Sequence, residues 1–231
     1  NEKLAAEERS EHKPLGFVAV AAGSGMAKIL ESLGVDVVVS GGQTMNPSTK
    51  DLLDAVERVN ADAVIILPNN SNIIMAAQSA AGLSEVPCAV VPTKSVPQAF
   101  SALFSADETA SLEENVENMT SAFADTKTGE VTTAIKDSKD AHDNPIHNGD
   151  VIGIADGSIE AVGSSVEDVV MSLLDTMEAE DADTLTLLAG EDFSDERLDA
   201  LVERIESRFD ELEVDAHRGE QPLYPIVFSV E

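Results

Sequence analysis

Residues 63–72 read AVIILPNNSN, an apolar run followed directly by a proline and a polar segment. A run rich in Val and Ile without polar alternation is typical of a strand that is buried on both faces. Apolar residues continue at helical spacing through Ile73, Ile74 and Ala77. The stretch therefore predicts a buried strand, a polar loop and a helix in succession.

The same order of elements occurs elsewhere in the first half of the chain. Strands are predicted at 17–20, 35–39 and 88–91, and each is followed by a loop and by apolar residues at helical spacing. Buried strands that alternate with helices indicate an α/β fold with an open, mostly parallel sheet flanked by helices. Right-handed crossovers place the loops at the carboxyl edge of that sheet, where such sheets bind ligands.

The loops after the second, third and fourth strands are rich in uncharged hydrogen-bonding side chains. Gathered at one edge, they can hold a carboxylate, a phosphate or a peptide backbone, and Lys94 is the cation among them. The alternative is that they cap helices and close turns, because the same residue types are favoured there. The candidate ligand- or partner-binding residues are Gln43, Thr44, Asn46, Ser48, Asn69, Asn70, Asn72, Lys94 and Gln98.

The second half of the chain has a different pattern. Asp156-Gly157 lies between two apolar runs, which is a strong signal for a β-hairpin. A helix, a strand, a long amphipathic helix and two terminal strands follow. The predicted organisation is a linker at 1–14, the α/β subdomain at 15–126 and a smaller α+β subdomain with an antiparallel hairpin at 127–231. Because the chain opens at Asn1 with a polar stretch, we also expect it to be a fragment of a longer polypeptide.

Charge and composition argue against several classes of partner. With 44 acidic and 14 basic residues the formal net charge is -30, which repels nucleic acid phosphates and anionic lipids. No apolar run approaches the ~18 residues of a membrane span, and the N-terminus lacks the features of a signal peptide. The single cysteine, Cys88, fits a reducing compartment. We therefore expect a soluble cytoplasmic protein that binds no nucleic acid and does not insert into a membrane.

The sequence contains no set of residues typical of an active site. Gly23-Ser24-Gly25 precedes a helix and could hold an anion, but a single G-x-G is more often a tight turn. The histidines are scattered, and Cys88 lies within an apolar run. The acidic residues between Glu191 and Glu196 open a helix, where negative charge is favourable. We predict no catalytic residue, no metal and no cofactor in this chain.

Several segments of the chain resemble a known family. They are similar to the C-terminal domain of the fatty acid kinase protein FakA, in the dihydroxyacetone kinase-like group, and the likeness runs from about Pro14 to Glu231. The resemblance implies a DegV-like fold. The segments are GGQTMNPST at 41–49, LPNNSNIIMAA at 67–77, VPTKSVPQ at 91–98, GED at 190–192 and GEQPLY at 219–224.

This family implies a bacterial cytoplasmic protein with an ATP-binding kinase domain, a middle domain and the present domain. The kinase phosphorylates a fatty acid held by a separate DegV-like acyl-binding subunit, giving an acyl phosphate for phospholipid synthesis. ATP and Mg²⁺ are expected only in the kinase domain, which this chain lacks. One departure from the family pattern is Lys136, which stands where relatives carry an arginine and keeps the charge without the bidentate fork.

Two functions remain open at this point. The first is a non-catalytic domain that docks the acyl-binding subunit through the polar edge loops. The second is a domain that binds a small carboxylate, phosphate or fatty acid between the two subdomains. A self-sufficient hydrolase or kinase is disfavoured, because neither a nucleophile motif nor a phosphate-binding loop occurs in the sequence.

Overall fold

The computed structural model describes residues 11–41 and 46–231. These residues form two compact units, of which the first comprises residues up to Ala22 and residues 27–124. The second unit comprises residues 23–26 and 125–231. None of the helices in the described ranges combines the length and the apolar character that crossing a membrane requires.

The first unit is built on a parallel sheet. Its neighbouring strands are parallel in every pair, so their carboxyl ends lie at one edge. Residues 64–67 are fully buried, as expected for a strand covered on both faces. The predicted parallel sheet is confirmed. The strands are β1 (Lys13–Ala21), β2 (Val37–Ser40), β3 (Ala61–Leu67) and β4 (Cys88–Val90), in the spatial order β2-β1-β3-β4.

Helices flank this sheet. Two of them, α2 and α3, pack together over Val64 and Ile66 in one apolar cluster. Another pair, α4 and α5, pack against each other, and α5 contacts β3 and β4. The helices are α1 (Ser24–Ser32), α2 (Thr49–Arg58), α3 (Ile74–Leu83), which follows a 3₁₀ turn at Ser71–Ile73, α4 (Val96–Phe104) and α5 (Leu112–Ala122).

β1 begins before the predicted end of the linker. Lys13 pairs with Ala61 in the sheet, and its ammonium nitrogen lies 2.6 Å from a carboxylate oxygen of Asp36. The predicted linker at 1–14 is therefore too long, because a distant ion pair anchors a charged residue that looks like linker in the sequence. Residues 1–10 of that linker lie outside the described residues.

The second unit is built on a mixed sheet. β10 and β11 are parallel, and the other neighbouring pairs are antiparallel. The strands are β5 (Lys127–Thr133), β8 (Val151–Ala155), β9 (Ser158–Gly163), β10 (Thr184–Ala189), β11 (Glu213–Arg218) and β12 (Ile226–Val230), in the order β11-β10-β12-β5-β8-β9, and a separate short hairpin joins β6 (Ser138–Lys139) to β7 (Pro145–Ile146).

Two helices bury one face of this mixed sheet. α6 (Val166–Thr176) packs against β5, β8 and β9, and α7 (Asp195–Arg208) packs against β11. Their apolar residues share one core with the strands, in which Leu173, Leu185, Ile205 and Phe228 are fully buried. The α+β character predicted for the second half is present in this unit.

The Asp156-Gly157 hairpin is confirmed. Ala155 pairs with Ser158, so the two residues between them form the whole connection between β8 and β9. Both have positive φ, 47° at Asp156 and 90° at Gly157, as the tight two-residue turn between twisted strands requires.

Candidate functional site

The strand order of the first unit marks the carboxyl edge near β1 and β3 as the candidate site. These two strands lie side by side, yet the chain leaves β1 towards β2 and leaves β3 towards β4. Loops that diverge from neighbouring strands leave a crevice between them, and open α/β sheets bind their ligands there. The predicted residues of the β3 and β4 loops lie at this edge.

Asn69 connects three strands at this position. Its Nδ2 donates to the carbonyl of Val20 at 2.9 Å, and its Oδ1 accepts from the hydroxyl of Thr93 at 2.7 Å. Its backbone N–H also donates to the Thr93 oxygen, at 3.1 Å. The φ of Asn69 is 59°, a conformation that Asn tolerates better than most residues. Asn69 therefore holds the ends of β1, β3 and β4 together and is engaged within the protein.

Other predicted site residues cap helices, as the alternative in the sequence analysis allowed. Ser48 accepts from the backbone of Asp51 and forms a capping box with it at the start of α2. The Oδ1 of Asn70 accepts from the backbone N–H of Asn72 and begins the 3₁₀ turn. Gln98 accepts from the backbone of Lys94 at 2.8 Å in front of α4. These bonds satisfy free N–H groups at helix starts.

The remaining predicted residues present their side chains to solvent. Asn46, Asn72 and Lys94 are exposed. Met75, one turn into the element that Asn70 begins, leaves 79% of its surface accessible. Gln43 and Thr44 lie outside the described residues. The edge therefore combines an exposed thioether, uncharged amides and one ammonium group, which suits recognition of another surface better than bond-breaking chemistry.

The described residues contain no site for metal or thiolate chemistry. Among them, no group of three or more His, Cys, Asp or Glu side chains could hold a metal ion. Burial raises the pKa of the Cys88 thiol to about 11, so the thiolate that nucleophilic chemistry needs is scarce near neutral pH. Glu113, Glu114 and Glu117 of α5 are exposed, in agreement with a solvated face.

The sequence analysis missed a hydrogen-bonded junction in the second unit. Arg218, the last residue of β11, donates to the carbonyls of Gly190 and Phe193, each at 2.7 Å, and to the carboxylate of Asp195 at 2.9 Å. It also donates to the carboxylate of Glu220. The GED and GEQPLY segments, quoted above only for their family resemblance, meet at this residue.

Gln221 is the second connection in the junction. It is 3% exposed, and its Nε2 donates to the carbonyls of Leu188 at 2.8 Å and Tyr224 at 3.1 Å. Its Oε1 is buried without a hydrogen-bond donor, which costs about 1–3 kcal/mol in an apolar interior. The backbone carbonyl of Gln221 accepts from Glu191 at 3.0 Å. The loop from Gly219 to Tyr224 is therefore fixed along most of its length.

The glycine turn before α1 belongs to the same junction. A Cβ at Gly23 would overlap the carbonyl oxygen of Gly219, and one at Gly25 would overlap that of Arg218. The N–H of Met26 donates to the carbonyl of Gly219 at 3.0 Å. Both glycines are thus explained by the close approach of two backbones. Packing accounts for the G-x-G without an anion.

The tip of the loop is strained and exposed. Leu223 has a φ of 66° and leaves 57% of its surface accessible. The N–H of Tyr224 donates to the carbonyl of Pro222 at 2.7 Å, which makes Leu223 the centre of a γ-turn with positive φ. A left-handed conformation costs a non-glycine residue about 1–2 kcal/mol. The hydroxyl of Thr132 donates to the Leu223 carbonyl at 2.7 Å and helps to hold this turn.

Comparison with known sequences assigns the chain to a described group. Residues 16–231 match the FakA-like C-terminal family, whose reference member is the fatty acid kinase protein FakA. Protein YloV of Bacillus subtilis is 44% identical over 95% of this chain, and a Staphylococcus haemolyticus protein is 40% identical over 97%. The chain spans only 39% and 41% of the length of these two relatives.

Comparison with solved structures shows the fold alone, because identities are low. A DegV family protein of Corynebacterium glutamicum superposes with a TM-score of 0.66 at 14% identity, covering 94% of this chain and 97% of its own. A Thermotoga maritima protein described as having a fatty acid binding function gives 0.64 at 12%, covering 95% and 99%. The Streptococcus pneumoniae fatty acid kinase B3 protein, loaded with linoleic acid, gives 0.59 at 12%, covering 94% and 99%. The predicted DegV-like fold is confirmed.

Proposed function

The chain belongs to the FakA-like C-terminal family, and we propose that it docks the acyl-binding subunit of a fatty acid kinase without catalysing phosphoryl transfer. The partner in this proposal is a DegV-like protein that carries a fatty acid. The parent protein would form an acyl phosphate for phospholipid synthesis in the bacterial cytoplasm. ATP and Mg²⁺ would bind to a kinase domain in another part of that protein.

The observation that carries this proposal is the exposed Met75 at the carboxyl edge of the sheet. A long, flexible thioether that is 79% accessible is typical of surfaces that adapt to a protein partner. The exposed amides of Asn46 and Asn72 and the ammonium of Lys94 lie at the same edge. An apolar contact with uncharged and polar neighbours is the usual composition of a protein interface.

The division of labour among the edge residues supports the same conclusion. Asn69, Ser48, Asn70 and Gln98 each form hydrogen bonds within the protein, so they fix the shape of the edge. The outward-facing side chains are then presented from a rigid base. A preorganised surface loses less entropy on association than a mobile one.

Calorimetric titration with the cognate acyl-binding protein tests the proposal. The unsubstituted chain should show saturable association, and Met75→Ser should weaken it about tenfold, the loss typical of an interface anchor. The matched control is Leu83→Ser at the other end of α3, where the leucine is 64% exposed. Absence of association with the unsubstituted chain, or equal weakening by both substitutions, contradicts the proposal.

A second candidate function is binding of a fatty acid or another small anionic ligand by the chain itself. The observation that favours it is the location of the edge residues at the β1–β3 switch point of a DegV-like fold. Lys94 would pair with the carboxylate or phosphate, and the hydroxyl of Ser48 and the amide of Asn70 would add hydrogen bonds.

Native mass spectrometry after incubation with oleate distinguishes the two functions. Ligand binding predicts a retained adduct of one fatty acid, and Lys94→Gln should reduce the bound fraction. Docking alone predicts that no adduct survives, while association with the acyl-binding protein persists.

A further inference from the structure

We propose that the γ-turn at Leu223 is a second docking point for the same acyl-binding subunit, located on the second unit. This inference rests on the proposed function and deepens it by naming the chemistry of the partner surface. That surface carries an apolar pocket for the Leu223 side chain with lysine or arginine residues at its rim.

The first argument is that strain and exposure coincide at one residue. Leu223 adopts a φ of 66° while 57% of its surface is accessible. Glu220, in the same loop, also has a positive φ, of 56°. A glycine would adopt these conformations without strain. The loop therefore retains a conformation that is unfavourable for its own residues, and such outliers concentrate at functional surfaces.

The second argument is that the base of the turn is fixed from several directions. The buried Gln221 amide bonds the carbonyls of Leu188 and Tyr224. Gly190 donates to the carbonyl of Pro225 at 2.8 Å, and Thr132 donates to that of Leu223 at 2.7 Å. These bonds connect the turn to β5, β10 and the start of β12. The leucine is thus presented in one orientation, as an interface anchor must be.

The third argument is the charge of the neighbouring surface, which identifies the kind of occupant. Glu191, whose N–H donates to the Gln221 carbonyl, is exposed, as are Asp192, Asp195 and Glu196. A partner surface must therefore bring positive charge to this rim. A second copy of this chain is disfavoured as the occupant, because each copy has a formal net charge of -30.

The decisive variant is Leu223→Gly, which removes the side chain while suiting the backbone. Its urea denaturation midpoint should equal or exceed that of the unsubstituted chain, because glycine relieves the left-handed conformation. Its affinity for the acyl-binding protein, measured by biolayer interferometry, should fall about tenfold. Leu83→Ala is the matched control and should change neither quantity appreciably. Glu191→Gln combined with Asp192→Asn should reduce the salt dependence of association.

The outcomes separate this inference from the proposed function. If the unsubstituted chain does not bind the acyl-binding protein, both are wrong. If it binds and Leu223→Gly binds equally well, the Leu223 inference is overturned and docking by the carboxyl edge stands. If sedimentation shows that the chain self-associates and that Leu223→Gly abolishes this, the occupant is a second copy and the inference is likewise overturned.

Discussion

The carboxyl edge of the first unit and the Arg218 junction of the second unit use hydrogen bonds over different ranges. At the carboxyl edge, the caps at Ser48, Asn70 and Gln98 bond residues at most four positions away. At the junction, Arg218 reaches back 28 positions to Gly190 and Thr132 reaches forward 91 positions to Leu223. Short-range bonds shape loops that the sequence reveals, whereas long-range bonds create a site that it conceals.

The largest expected effect breaks the junction at its tightest point. Gly25→Ala places a Cβ against the backbone carbonyl of Arg218, which neither side can yield without moving a backbone, so unfolding free energy should fall by about 3 kcal/mol. The matched control is Gly82→Ala in α3, where no atom lies within 4 Å of the added Cβ. That substitution should raise stability by about 0.5–1 kcal/mol. Urea denaturation followed by circular dichroism measures both, and equal stability of the two variants would contradict the packing described for Gly25.

The next effect removes the hub of the same junction. Arg218→Ala leaves the carbonyls of Gly190 and Phe193 without their donor, and the unfolding free energy should fall by about 2–3 kcal/mol. Arg218→Lys should recover only part of this loss, because an ammonium cannot serve diverging acceptors as a guanidinium does. Arg58→Ala, at an exposed position in α2, is the control and should stay within about 0.5 kcal/mol. Full recovery by lysine would show that charge alone matters at Arg218.

A smaller effect sharpens the contrast within the carboxyl edge. Asn69→Ala removes the bonds to Val20 and Thr93 and forces alanine into a left-handed conformation, so denaturation should show a loss of about 2 kcal/mol. Asn72→Ala should cost less than about 0.5 kcal/mol, because the bond to Asn70 uses the backbone of Asn72. The docking proposal predicts the reverse order for direct contact with the partner. Equal stability losses would remove the distinction between shaping and contacting residues.

The smallest expected effect is a pH dependence in the second unit. Burial raises the pKa of Glu130 above its usual range, so its contribution to stability is fully present below the unfolded pKa and is lost as the pH rises through the folded pKa. Glu130→Gln should therefore be more stable than the unsubstituted chain at pH 7, and the difference should shrink as the pH falls towards 4. Denaturation at several pH values measures this difference. A gap that stays constant with pH would contradict it, and Glu113→Gln, on an exposed face of α5, is the control.

The fold could largely be predicted from the sequence because its signals are local. The Val- and Ile-rich run at 64–67 and the Asp156-Gly157 turn each indicate their structure within a few residues. The start of β1 could not be predicted, since Lys13 is held by Asp36 from a distant segment. Thr93 escaped notice for the same reason, because its hydroxyl is buried against Asn69.

The candidate site was only partly readable. Asn46, Asn72 and Lys94 are exposed at the edge where the loops were expected, while Ser48, Asn70 and Gln98 follow the capping alternative. Hydrogen-bonding residues look alike in sequence whether they cap a helix or face a partner. Leu223 gave no signal at all, because a strained turn is defined by a backbone angle rather than by residue type.

Hydrogen exchange with and without the cognate acyl-binding protein tests docking most directly. The proposal predicts that saturating partner slows amide exchange in residues 70–78, at the carboxyl edge, and leaves exchange near Leu83 unchanged. The Leu223 inference adds slowed exchange across residues 219–225. Unchanged exchange at 70–78 in the presence of saturating partner would contradict docking by the carboxyl edge.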